Sequence, residues 1–61
     1  MPVVQVSLKT GRTTEEKRQL VERITTALVD VCGSNRERVH IIIIDVPEDS
    51  WGRGGKLLSD Q

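Results

Sequence analysis

At 61 residues the chain has room for one small domain, and only 36% of it is hydrophobic, with a single aromatic side chain. Nine basic and nine acidic residues cancel to a formal charge of zero, which argues against nucleic acid as a partner because that binding rests on concentrated positive charge. One cysteine (Cys32) and one histidine (His40) exclude an internal disulfide and fall short of the four ligands of a structural zinc site, so partner chains are the stabiliser left for so small a core.

The chain opens Met1-Pro2-Val3-Val4. A small residue after the initiator favours removal of Met1, and a freed Pro2 nitrogen is a secondary amine rather than an amide. Buried near cations, its protonated form is disfavoured, and it can act as a general base near neutral pH. Alternatively, Pro2 simply stiffens the start of a strand, where the missing N–H costs nothing. Val3 to Leu8 is β-branched and roughly alternating, with Val4, Val6 and Leu8 on one face, and predicts a first strand. Lys9-Thr10-Gly11-Arg12 reads as a glycine turn, and Thr13-Thr14-Glu15-Glu16 as a capping box that starts a helix.

Leu20, Val21, Ile24, Ala27, Leu28 and Val31 recur at helical spacing and predict the packed face. Gly33 predicts the helix stop, and Cys32, just before it, reads as a small buried hydrophobe. Val39 to Val46 carries four consecutive isoleucines. A nearly continuous apolar run implies a strand covered on both faces, as in a parallel sheet. Strand, crossover helix and strand make a β-α-β unit of α+β class. One helix covers only one face of two strands, so the other face must meet another chain. Beyond Pro47, the Trp51-Gly52-Arg53-Gly54-Gly55 stretch predicts a short hairpin that folds over a neighbouring subunit, with Trp51 as its anchor. The chain lacks a signal-peptide core or an apolar stretch near about twenty residues, and the expected setting is cytoplasmic.

The Pro2 start, the Gly11-Arg12 turn before a capped helix, the isoleucine-rich second strand and the Trp51-Gly52-x-Gly54-Gly55 loop together resemble the 4-oxalocrotonate (2-hydroxymuconate) tautomerases over essentially the whole of residues 1–61. The resemblance implies β-α-β subunits that pair into four-stranded dimers and assemble as hexamers, usually trimers of dimers. It implies an isomerase that converts 2-hydroxymuconate, a dienol dicarboxylate from catechol breakdown, to its conjugated ketone without metal or organic cofactor. Pro2 would take the 2-hydroxyl proton and return it at C5. Arg12 would grip the remote carboxylate, since its fork makes two parallel N–H bonds that Lys cannot imitate. The Leu8 amide would be a substrate donor, and Trp51 would close an apolar wall over Pro2.

One position departs from the family. Its second arginine, which addresses the C1 carboxylate and the 2-oxygen, falls at His40, which is shorter and cannot make the same two-pronged contact. His40 can itself be the donor, or a buried structural residue. Arg38 can substitute if the strand extends far enough for 38 and 40 to share a face. Arg53, between the hairpin glycines, is the third source of charge. Two other functions stay open. One is haloacrylate hydration and dehalogenation through Pro2, with Asp45 or Glu48 to activate water. The other is a non-catalytic place in a mixed hexamer.

Overall fold

The computed structural model describes residues 1–61. Strand β1 (Val3–Lys9) leads into helix α1 (Thr14–Cys32), a 3₁₀ turn at Arg36–Arg38 and strand β2 (His40–Val46). A second 3₁₀ turn (Glu48–Ser50) precedes the short strands β3 (Gly52–Arg53) and β4 (Lys56–Leu57), and a third (Leu58–Asp60) ends the chain. β1 and β2 pair in parallel, from Val3 opposite His40 to Lys9 opposite Val46, so α1 is the crossover between them. β3 and β4 form an antiparallel hairpin. Its two loop glycines, Gly54 (φ 63°) and Gly55 (φ 84°), take the paired positive φ that a two-residue hairpin turn requires.

The ends of α1 are set locally. The Thr13 hydroxyl accepts from the Glu16 N–H at 3.1 Å, and the Glu16 carboxylate accepts from the Thr13 N–H at 2.9 Å, which completes the capping box. At the other end Gly33, in the left-handed region at φ 68°, donates to the Val29 carbonyl at 3.0 Å. Lys17 pairs with Asp45 and pins the first helical turn to the end of β2.

Residues paired across the sheet point to the same side. α1 half-buries Val4, Val6, Leu8, Ile41 and Ile43. The opposite face carries Val3, Ile42 and Ile44, which are 54%, 43% and 40% exposed. Within one protomer the isoleucine run therefore alternates like a strand covered on one side only.

Two expectations for the helix are corrected. Its packed stripe runs through Leu20, Val21, Ile24, Thr25, Leu28 and Val29, and Thr25 (7% exposed) is the only buried residue of the chain. Ala27 and Val31 lie about 200° and 240° around the helix from Thr25. Leu20, at about 220°, is still half-buried, so angle alone does not decide; Val31, in the last turn of the helix, is 83% exposed. Cys32 is exposed rather than buried, because it closes the helix beyond that stripe.

A lone protomer is an inefficient shape. Its radius of gyration is 14.5 Å, against about 10.5 Å for a compact chain of this length. Its accessible surface is 4677 Å², against about 3,950 Å² for a compact monomer of 6.8 kDa. No helix is long and apolar enough to cross a membrane.

Candidate active site

The parallel pairing sorts the candidate residues into two groups at opposite ends of the sheet. At the amino ends of the strands lie Pro2 and His40, joined by a 3.0 Å bond from the His40 N–H to the Pro2 carbonyl. Pro2 is half-buried, whereas Met1, acylating its nitrogen, is 81% exposed. The exposed His40 side chain shares the helix-free face with Val3 and Ile42. Arg38 is near this end in sequence but does not share a strand face with His40. Its N–H donates to the Asn35 carbonyl at 2.9 Å, and the Val39 N–H to that of Arg36, so the chain is still turning when it reaches β2. The Asn35 side chain caps that turn by accepting from the Glu37 N–H at 3.1 Å.

At the carboxyl ends lie Leu8, Lys9, Arg12 and, just beyond β2, Trp51. Eight residue steps separate Pro2 from Thr10, or roughly 26 Å of extended chain. Pro2 therefore does not meet Arg12 or Trp51 within one protomer, and the wall expected over Pro2 is not supplied by its own Trp51. Arg53 is engaged elsewhere. Its guanidinium donates to the Gln61 side chain at 2.7 Å, and the Gln61 amide donates back to the Arg53 carbonyl at 3.3 Å.

The expected role of the Leu8 amide is also corrected. The bonds His40 N–H to Pro2 and Thr10 N–H to Val46 fix the ladder at both ends, and parallel pairing alternates between them. Even-numbered amides of β1 point to β2, so the Leu8 N–H faces the Ile44 carbonyl and is consumed. The odd-numbered amides point to the open edge, and the last of these is Lys9. Sequence reading missed the Lys9 main chain because the direction of an amide depends on pairing register, which a single strand does not reveal.

Charge at this end is largely neutralised. Lys9 pairs with Glu48 at 3.2 Å and Lys17 with Asp45. The two carboxylates considered for water activation are thus both held by ammonium groups. Arg12 is exposed and joins no ion pair. Its neighbour Glu16 is turned into the capping box, where hydrogen bonds from the Thr13 backbone and side chain, and more weakly the Arg12 charge, lower its carboxyl below the usual glutamate range. Arg12 is left as an uncommitted cation with a planar fork.

No group of three or more His, Cys, Asp or Glu side chains is placed to hold a metal ion. The one depression in the protomer, about 250 Å³ and lined by Glu16, Gln19, Leu20 and Arg23 of a single helix, includes neither Pro2 nor His40. One protomer thus gathers the candidate residues into two separate groups and encloses neither.

Comparison with known proteins gives a consistent set of matches. The family model described as "Tautomerase enzyme" matches residues 2–61. The 2-hydroxymuconate tautomerase of Bacillus subtilis is 40% identical over 60 residues, which cover 98% of this chain and 97% of that protein. A solved homologue of 4-oxalocrotonate tautomerase superposes with a TM-score of 0.94 at 38% identity, covering 98% of each chain. A heterohexameric 4-oxalocrotonate tautomerase from Chloroflexus aurantiacus superposes with a TM-score of 0.89 at 27% identity, covering 98% of this chain and 97% of that one.

Proposed function

This chain belongs to the tautomerase family, and from that premise we propose that it is a keto–enol isomerase that ketonises 2-hydroxymuconate or a similar dienol through an amino-terminal Pro2. The position of Pro2 carries the proposal. It is the first residue of the matched span, it is half-buried, and its carbonyl is anchored by the His40 amide beneath an exposed Met1. Removal of Met1 turns the Pro2 nitrogen from a non-basic amide into a secondary amine.

In the reaction the neutral amine takes the proton of the 2-hydroxyl. The oxygen electrons form the C2 carbonyl, the double bonds shift along the chain, and the prolinium returns its proton to C5. No net proton is gained and no oxidant is needed. Charge develops on the 2-oxygen in the transition state, so a donor aimed there lowers the barrier. His40 and Arg38 are the candidates for that donor, because both belong to the Pro2 end of the sheet. Arg53 is the weaker candidate, being held by Gln61 in the hairpin.

A dicarboxylate also needs a cation for its remote carboxylate, and Arg12, free of ion pairs, suits it. Because Arg12 and Trp51 lie at the far end of their own protomer, the complete site draws Pro2 from one copy and the clamp and wall from another. The open Val3-Ile42-Ile44 face and the non-compact protomer support such self-association, with a homohexamer as the proposed form. A mixed hexamer of the kind described for the Chloroflexus protein is the second reading. A homogeneous purified chain with full turnover excludes it.

Arg12→Ala tests the proposal. It should raise the KM for 2-hydroxymuconate at least tenfold, a loss of about 1.4 kcal/mol of carboxylate binding, and leave kcat less affected. An equal effect on a dicarboxylate and on its analogue without the remote carboxylate contradicts the clamp.

A further inference from the structure

The carboxyl end of the sheet holds three cations, but two of them face a carboxylate. The Lys17–Asp45 pair ties α1 to β2 on the helix side. The Lys9–Glu48 pair has no such packing task. It spans two exposed side chains, 49% and 51% accessible, and Glu48 belongs to a 3₁₀ turn whose side chains cap nothing.

Lys9 is also the residue whose main-chain N–H is the last free donor on the open edge of β1, three positions before Arg12. Its ammonium thus belongs to the same end of the sheet as Arg12. Resting on the proposal that Arg12 binds the remote carboxylate, we infer that Glu48 is a specificity-determining residue. By neutralising Lys9 it limits the carboxylate-binding end to one effective positive charge and so weakens discrimination in favour of dicarboxylates.

The physical basis is direct. Two cations near one carboxylate attract it more strongly than one, and an anion beside the second cation cancels that gain. The pair is solvent-exposed, so the effect is modest and sensitive to salt. Unmasking one solvent-exposed charge near a carboxylate corresponds to a change in binding of about threefold.

The test compares KM and kcat for 2-hydroxymuconate and for its analogue lacking the remote carboxylate, in wild type, Glu48→Gln, Glu48→Asp, Lys9→Met/Glu48→Gln and Arg12→Ala. Glu48→Gln should lower the dicarboxylate KM about threefold, leave the analogue's KM unchanged, and lose this gain at high salt. Glu48→Asp should restore wild-type behaviour, and the double variant should abolish the gain. These readouts separate a charge effect from mere loss of structure, which would move both substrates together. An unchanged dicarboxylate KM in Glu48→Gln, or an equal fall for both substrates, overturns the inference. If that result comes with the expected loss in Arg12→Ala, the clamp stands and only the inference fails. If Arg12→Ala is silent while Glu48→Gln responds, Lys9 is the carboxylate cation, and both the Arg12 assignment and the inference built on it are overturned.

Discussion

Ile42→Lys should break the assembly of this protein while leaving each protomer's hydrogen-bonded framework in place. Ile42 sits in the middle of the helix-free face, 43% exposed, between His40 and Ile44 on its own strand and opposite Gln5 on β1. Complete burial of a large aliphatic side chain contributes about 1.5–3 kcal/mol. Covering what remains exposed of Val3, Ile42 and Ile44 is therefore worth roughly 3 kcal/mol per protomer, about a third of it from Ile42. A lysine in its place loses that share and adds an ammonium whose desolvation costs several kcal/mol. The cost recurs in every protomer, so it outweighs the contact in any oligomer closed through this face. Native mass spectrometry and sedimentation velocity at micromolar concentration should show the wild type as an oligomer and Ile42→Lys as smaller species. Ile42→Val, which removes one methylene and no more, should remain assembled. An Ile42→Lys variant that sediments like wild type would refute the claim that this face is an interface.

Three further outcomes follow from the geometry. Thr13→Ala removes the side-chain half of the capping box and should destabilise the fold by about 1 kcal/mol in thermal or denaturant unfolding. Because the native Glu16 carboxyl lies below its unfolded value, its contribution is complete above the ordinary glutamate range and is lost as pH falls through the native value. The stability difference between wild type and Glu16→Gln should accordingly shrink on acidification, and a constant difference from neutral to acid pH would contradict this. Of the two candidate donors near Pro2, a gain in kcat from His40→Arg would show that position 40 addresses the reacting oxygen. A loss confined to Arg38→Ala would give the role to Arg38, and silence in both would remove both assignments.

The elements were legible because their signals are local. Thr13 and Glu16 announce the start of α1 and Gly33 its end, and the isoleucine run and the paired glycines mark β2 and the hairpin. What escaped the sequence depends on partners. Whether Leu8 or Lys9 offers a free amide is decided by the register of β1 on β2, not by either residue. Whether Val31 packs is decided by what lies beneath the last turn of α1, not by its helical spacing. Arg38 failed to extend β2 because Asn35 closes a turn there, and that signal was readable, since asparagine favours such caps. The separation of Pro2 from Arg12 was implicit in the parallel topology, which places the starts of both strands at one end and their exits at the other.

The central claim is that the amino-terminal Pro2 is the base. Its most direct test is the rate of 2-hydroxymuconate ketonisation by Pro2→Ala, measured on protein shown by intact mass to lack Met1 and to be assembled like wild type. General-base catalysis contributes about 10²–10⁴-fold, so the rate should fall by at least about a hundredfold with the oligomer intact. A Pro2→Ala protein that turns over within about twofold of wild type would contradict the mechanism, since a loss that small is far below what removal of a general base entails.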